Sequence, residues 1–314
     1  MNNKLEIKSS ISLIIYLLII NFGFTQDIPY FSGDRAFKFL TEQCDFGPRY
    51  PESIGHEKSI EYFTNYFEKI ADELIVMNEK VINPITEKEV ELTNFYARFN
   101  PRNPNRILLM AHWDTRQISD KEELEENRNI PIIGANDGAS GVAVLMEIAD
   151  ILHDYPLENI GIDILLTDGE DMGIPSQNGS FGLGTREFSK HIPFPKPNHA
   201  ICVDMVGDAD LEILVEQFSY YQAKVVVQRI WNIANELGYD VFKQTMGQAI
   251  FDDHRVLYEN TGIPAIDIID FNYPNTEKNY WHTLQDIPEN CSAESLEIVG
   301  TVVLTYIYQE NSRK

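Results

Sequence analysis

Three apolar stretches of strand length, ILLMAHWD at residues 107–114, IGIDILLTDGED at 160–171 and AICVDMVGD at 200–208, each run out into histidine or acid. Apolar runs with no polar alternation are what strands buried on both faces look like, and such strands belong to largely parallel sheets covered by helices. Amphipathic stretches of helical period lie around them, at residues 53–72, 142–152, 220–237 and 293–308, with a shorter one at 186–191. In the first of these, Ile60, Phe63, Tyr66, Phe67 and Ile70 repeat at near-helical spacing. Residues 74–82 and 92–99 flank the turn-like NPITEKE and predict an antiparallel hairpin, while 263–269 and the short LEILVE read as further strands. SDKEELEENRN, at 119–129, is nearly devoid of apolar residues and reads as a surface loop. The expected fold is therefore α/β, with one central mixed, mostly parallel, twisted sheet flanked by helices.

A chain of 314 residues can bury such a core in one domain. Residues 1–26 carry Lys4 and Lys8, then an apolar run from 11 to 24, then polar residues. The run is shorter than the ~20 residues a bilayer crossing needs, so it reads as a signal peptide cut near Thr25 or Gln26. The mature domain is then 27–314, exported to the periplasm or beyond, with an uncleaved anchor as the alternative. With 49 acidic against 25 basic residues the formal net charge is -24. That excludes nucleic acid as a main partner and argues against stable association with an anionic membrane after cleavage, since both need a basic face. Cys44, Cys202 and Cys291 form no CxxC pair, which excludes thiolate zinc sites and thioredoxin-like chemistry. Cys202 reads as a small buried hydrophobe. An oxidising compartment permits a Cys44 to Cys291 disulfide, and spacing does not establish one.

In open α/β sheets, sites form beyond the carboxyl edge of the strands. His112, Asp114, Asp137 in GANDGASG, Glu170, Asp171, Asp204 and His282 in NYWHTLQD all fall at strand or helix ends. Each has an ordinary reading: Asp137 before Gly138 can cap a helix, Asp252 can cap HRVLYENTG, and Trp281 can be a core aromatic. The acids of LLTDGEDMG are harder to dismiss. Two carboxylates about 4 Å apart repel by roughly 4 kcal/mol at an effective dielectric near 20, so a cation is the natural reason for them to crowd. Two histidines in the set favour zinc over magnesium or calcium, and a catalytic zinc takes about three such ligands with one position open.

Read in order, AHWDTR, GANDGASGV, LLTDGEDMG, LGTREF, VDMVGD, FDDHRVLYENTGIP and YWHTLQD resemble the zinc aminopeptidase and glutaminyl cyclase superfamily. The likeness spans nearly the whole mature chain and is closer to the bacterial relatives of animal glutaminyl cyclases. It implies that Asp137, Asp171 and His282 hold one catalytic zinc and that Glu170 is the general base and acid. It also implies that Asp252 joins Glu170 and Asp204 in a carboxylate hydrogen-bond network, and that Trp281 helps form the substrate pocket. Asp168 and Gly169 are then the turn that lets Glu170 and Asp171 face different partners.

In two-zinc aminopeptidases, residues at the places of His112 and Asp204 bind a second metal and Asp137 bridges. Cyclases keep the histidine without using it as a ligand. The resemblance therefore implies conversion of N-terminal glutamine of peptides or proteins to pyroglutamate, with release of ammonia; the alternative is a secreted aminopeptidase with two zincs. The intact ligand set disfavours a non-catalytic binding protein. Two departures stand out: Asp171 replaces the glutamate of animal cyclases, and residues 172–180 lack their second pocket tryptophan, for which Phe181 or Tyr280 would substitute.

Overall fold

The computed structural model describes residues 28–175 and 177–313; the expected signal peptide, residues 1–26, lies outside the described residues. Helices α1 (Gly33–Cys44) and α2 (Ile54–Ile70) lead into the hairpin β1 (Glu73–Ile82) and β2 (Glu89–Phe99). Then come β3 (Arg106–His112), α3 (Ala139–Asp154), β4 (Gly161–Thr167), α4 (Leu183–Phe188) and β5 (His199–Asp204). The rest is β6 (Ile213–Val215), α5 (Gln217–Glu236), β7 (Phe242–Met246), α6 (Asp253–Thr261) and β8 (Ala265–Ile269). A two-residue-strand hairpin, β9 (Pro274–Asn275) and β10 (Lys278–Asn279), precedes the closing helix α7 (Ala293–Asn311).

Six strands form the main sheet in the order β1-β2-β4-β3-β5-β8. The pairs β1–β2 and β2–β4 are antiparallel, and the other three pairs are parallel, so the sheet is mixed and mostly parallel as the apolar runs predict. Side chains alternate across it. Ile107, Leu109 and Ala111 of β3 point into one core with α1, α2, α3, α5 and α7, whereas Leu108 and Met110 pack against Phe188 and Leu257 under α4 and α6. Full burial of each such aliphatic side chain stabilises by about 1.5–3 kcal/mol. Because both faces are covered, the strands have no polar alternation to show.

The parallel register places the ends of the strands together: His112 pairs with Thr167 and Asp204 with Ile269. Helix α3 comes unusually close to β5, because Gly141 leaves no Cβ; one built there would lie 1.9 Å from the Val203 carbonyl oxygen. That approach sets the N-terminus of α3, and Asp137 before it, beside the end of β5.

Several elements differ from the sequence reading. LEILVE does form β6, but in a separate two-stranded sheet with β7, a strand in which only Phe242 is buried. Helix α1 is additional, α6 is the helix that a capping Asp252 would open, and α4 begins three residues before the expected 186. Cys44, Cys202 and Cys291 are all buried free thiols, so the permitted Cys44 to Cys291 bond is absent. Among the described residues no helix is long and apolar enough to cross a membrane.

Candidate active site

The acids of LLTDGEDMG are all buried and each has its own direction. Gly169, at φ 69, adopts a left-handed turn that favours glycine. Asp168 points inward: its Oδ2 lies 2.7 Å from His56 Nε2 and accepts the Thr93 N–H at 2.7 Å. Burial pulls the His56 pKa down, but the Asp168 charge outweighs it and holds the imidazole above its ordinary value. The next two residues are held by the Asp114 carboxylate, which accepts the backbone N–H of Glu170 at 3.0 Å and of Asp171 at 3.1 Å. Their side chains are thereby aimed past the end of β4, Asp171 to His282 and Glu170 into a pocket.

Asp137, Asp171 and His282 offer donor atoms within 4.8 Å of one another. His282 Nε2 is 3.0 Å from Asp171 Oδ1 and 3.6 Å from Asp137 Oδ2. Asp137 Oδ2 and Asp171 Oδ2 are buried with no hydrogen-bond partner among the described residues. Orphaned carboxylate oxygens are costly in a protein interior, and a bound cation satisfies them. The mixed imidazole and carboxylate set fits zinc. The backbone at His282 has φ 58, a conformation that costs a non-glycine residue of order 1–3 kcal/mol and that clusters at functional sites.

His282 is oriented from behind. Its Nδ1 lies 3.1 Å from Asp120 Oδ1, which also takes the Arg116 Nε–H at 2.7 Å. With Nδ1–H donated to a carboxylate, Nε2 presents its lone pair to the ligand side. Arg116 also donates to the Asp171 carbonyl at 2.9 Å, joining two elements of the site. Asp286 accepts the N–H groups of Asn136 at 2.7 Å and Asp137 at 3.2 Å, fixing the loop before α3. Neither Asp120 nor Asp286 was singled out by the sequence. Asp120 lies in the stretch read as a surface loop, yet Ser119 is fully buried and Glu122 accepts the Leu284 N–H at 2.9 Å, so the stretch is strapped to the His282 segment.

A second group forms at the end of β3. His112 Nε2 is 3.1 Å from both Asp137 Oδ1 and Asp204 Oδ1, and these three residues could also hold an ion. Burial raises the Asp204 carboxyl and His112 opposes it, leaving it pushed up to about 7.

Glu170 and Asp252 line a cavity of about 50 Å³ together with Phe181, Phe251, Phe271 and Trp281. The Glu170 carboxylate makes no hydrogen bond or ion pair among the described residues, so the expected hydrogen-bond network is not formed: Asp204 pairs with His112, and Asp252 turns to Cys202 and the Asp253 N–H. Burial first, then the Asp252 charge, pushes the Glu170 pKa well above the ordinary carboxylate range. Asp252 is both things the sequence allowed: its side chain caps α6 at the Asp253 N–H, and it faces the cavity. It also lies 3.8 Å from the Cys202 thiol, close to the buried Asp267. Trp281 is half-buried, stacked on the His282 ring at 3.7 Å and tilted on Phe271 at 5.0 Å. Of the two aromatics that could replace a second indole, Phe181 lines the cavity and Tyr280 packs on Tyr273 instead.

Comparison with known proteins agrees with this geometry. A glutaminyl cyclase of Bacteroides thetaiotaomicron, solved bound to N-acetylhistamine, is 32% identical and superposes with a TM-score of 0.85, covering 90% of this chain and 99% of that one. A Zn-dependent exopeptidase of Parabacteroides distasonis is 33% identical with a TM-score of 0.85, over 90% of this chain and 99% of its own. Among curated proteins, Aminopeptidase YwaD of Bacillus subtilis is 25% identical over 218 residues, which is 67% of this chain but only 42% of that protein's length. The sequence profile of peptidase family M28 matches residues 94–307. The chain thus belongs to peptidase family M28, in the zinc-exopeptidase-like superfamily that includes bacterial glutaminyl cyclases.

Proposed function

We propose that the protein is a glutaminyl-peptide cyclotransferase with one zinc, closing the N-terminal glutamine of peptides or proteins to pyroglutamate and releasing ammonia. The observation that carries this reading is the partner-free, buried Glu170 carboxylate facing a cavity of about 50 Å³ beside the Asp137, Asp171 and His282 donors. The space suits one short side chain with its reacting ends brought together. Zinc held by those three residues would supply Lewis acidity toward the γ-amide carbonyl of the glutamine.

The chain's own residues do the rest. Glu170 takes a proton from the substrate α-amine, and the raised pKa that burial and Asp252 impose lets it keep that proton until the leaving group needs it. The α-nitrogen forms a bond to the carbonyl carbon of the γ-carboxamide, Cδ, the bond from that carbon to the amide nitrogen breaks, and Glu170 returns the proton to the departing ammonia. No water is consumed. Because nucleophile and carbonyl belong to one residue, the site gains from tethering, and Trp281, Phe251 and Phe271 need only hold the folded conformer and keep water out. Asp252 raises the charge cost that Glu170 senses and His112, held by Asp204, opposes it.

The second reading, an aminopeptidase with two co-catalytic zincs, draws on the His112, Asp137 and Asp204 group, in which Asp137 would bridge. In the cyclase reading His112 instead donates its Nε2–H to those same carboxylates. The two readings separate on product: peptides beginning with glutamine yield a pyroglutamyl peptide and ammonia from a cyclase, and free glutamine from an aminopeptidase. For the segment outside the described residues, the lysines followed by an apolar run at 1–26 support export.

A further inference from the structure

The cavity at Glu170 has a larger neighbour. A space of about 310 Å³ lies along the segment before α6, and the two share Ile250, Ile269 and Phe271 as walls. Clefts that receive ligands start at about 300 Å³, whereas the inner cavity has room for one short side chain. Because the two cavities share these walls, a peptide whose first residue occupies the inner cavity can extend its second residue past Ile250 and Phe271 into the outer one.

This outer space is built rather than loose. Glu216, at the start of α5, accepts the N–H groups of Phe218 at 2.8 Å, Ser219 at 2.6 Å and Ile250 at 3.0 Å, so the wall between the two cavities is tied to a helix. Gly247 donates its N–H to the Val215 carbonyl at 2.8 Å, closing the other side. Among the described residues no lysine, arginine or histidine lines the space. Glu212 on its rim is exposed, and its carboxylate makes no hydrogen bond or ion pair among the described residues. Leu214, Ile250 and Phe271 supply the apolar part of the lining.

We infer that this outer cavity receives the residue following the N-terminal glutamine and favours lysine or arginine there, with the aliphatic stem along Leu214, Ile250 and Phe271 and the cation at Glu212. Long basic side chains suit such a lining because they bury their stems while keeping the charge near water. The inference rests on the cyclase reading of the inner cavity.

The test uses the zinc-loaded protein and three peptides that differ only at the second residue: Gln-Lys, Gln-Ala and Gln-Glu. At low ionic strength kcat/KM is expected to favour Gln-Lys over Gln-Ala by about two- to fivefold and to place Gln-Glu below both, the size an exposed charge pair supports. Near 1 M salt the spread should collapse, because the screening length there is about 3 Å. Glu212→Lys should reverse the order of the charged peptides, and Glu212→Gln should flatten it. Equal kcat/KM for all three peptides, or the same order in Glu212→Lys as in the native protein, overturns the outer subsite alone. Absence of pyroglutamyl product from every peptide overturns the cyclase reading and the subsite with it.

Discussion

The hydrogen bond from His282 to Asp120 can be tested through metal affinity rather than turnover. The carboxylate sits 3.1 Å from His282 Nδ1 and does two jobs, fixing the imidazole and neutralising the buried Arg116 at 2.7 Å. Burial alone would raise its pKa, but the hydrogen bonds from His282 and Arg116 prevail and hold it below the usual carboxylate range. Loss of a carboxylate behind a zinc-ligating histidine typically costs 10- to 100-fold in affinity, which is about 1.4–2.8 kcal/mol. Two restraints survive in Asp120→Ala: Trp281 still stacks on the ring at 3.7 Å, and the Lys121 N–H still donates to the His282 carbonyl at 3.3 Å. The loss should therefore fall nearer the tenfold end. Asp120→Asn keeps a carbonyl oxygen able to accept from Nδ1 and should lie between alanine and the native protein. Competition for zinc against a chromogenic chelator near neutral pH measures this. Urea unfolding of the metal-free proteins gives the separate cost of leaving the Arg116 Nε–H unpaired, about 1–3 kcal/mol. Equal zinc affinity in native and Asp120→Ala protein would refute the reasoning.

Glu170→Gln should nearly abolish cyclisation while zinc content stays native, whereas Asp171→Ala and His282→Ala should lose metal; elemental analysis of the purified variants alongside the product assay distinguishes the neighbours. Gly141→Ala should destabilise by at least 1–3 kcal/mol in urea titrations, since its Cβ would meet the Val203 carbonyl at 1.9 Å; native stability would mean that α3 does not press on β5 as described. Burial opposes ionisation of Glu216, but His254 and the Ser219 N–H and hydroxyl lower its pKa to about 2 from an ordinary 4.5. A depressed carboxyl pKa stabilises the fold above the unfolded value and loses that contribution as pH falls through the folded one. The stability gap between native protein and Glu216→Gln should thus narrow by about 2 kcal/mol between about pH 6 and about pH 3, and a constant gap would contradict the assignment.

The sheet was legible because its strands are buried on both faces and announce themselves as unbroken apolar runs. The β1–β2 hairpin was legible through its turn residues. What stayed hidden has little apolar signal: β7 buries only Phe242, and α6, DHRVLYENT, is polar over most of its length and showed only through its capping aspartate. The grouping of His112, Asp137, Glu170, Asp171, Asp204 and His282 could be anticipated because parallel strands that share a sheet end at the same edge. Asp120 could not. It acts across 162 residues on His282 and sits among several acids in SDKEELEENRN, where nothing local separates the half-buried one paired with Arg116 from those in solvent. Asp286 was missed for the same reason, since a carboxylate that works by accepting backbone protons from a distant loop leaves no pattern along the chain. LLTDGEDMG looked at first like a solvated acidic turn. In the fold its acids are buried, and each is separated from the next by a different partner: His56 for Asp168, the open cavity for Glu170, and His282 with Arg116 for Asp171.

The most direct measurement counts zinc per chain on active protein and follows both products of a glutamine-initiated peptide in the same sample. The account predicts about one zinc per chain, with pyroglutamyl peptide and ammonia formed in equal amounts and no free glutamine. Two zincs per chain together with free N-terminal amino acids would contradict it and make the His112, Asp137 and Asp204 group the second metal site of an aminopeptidase.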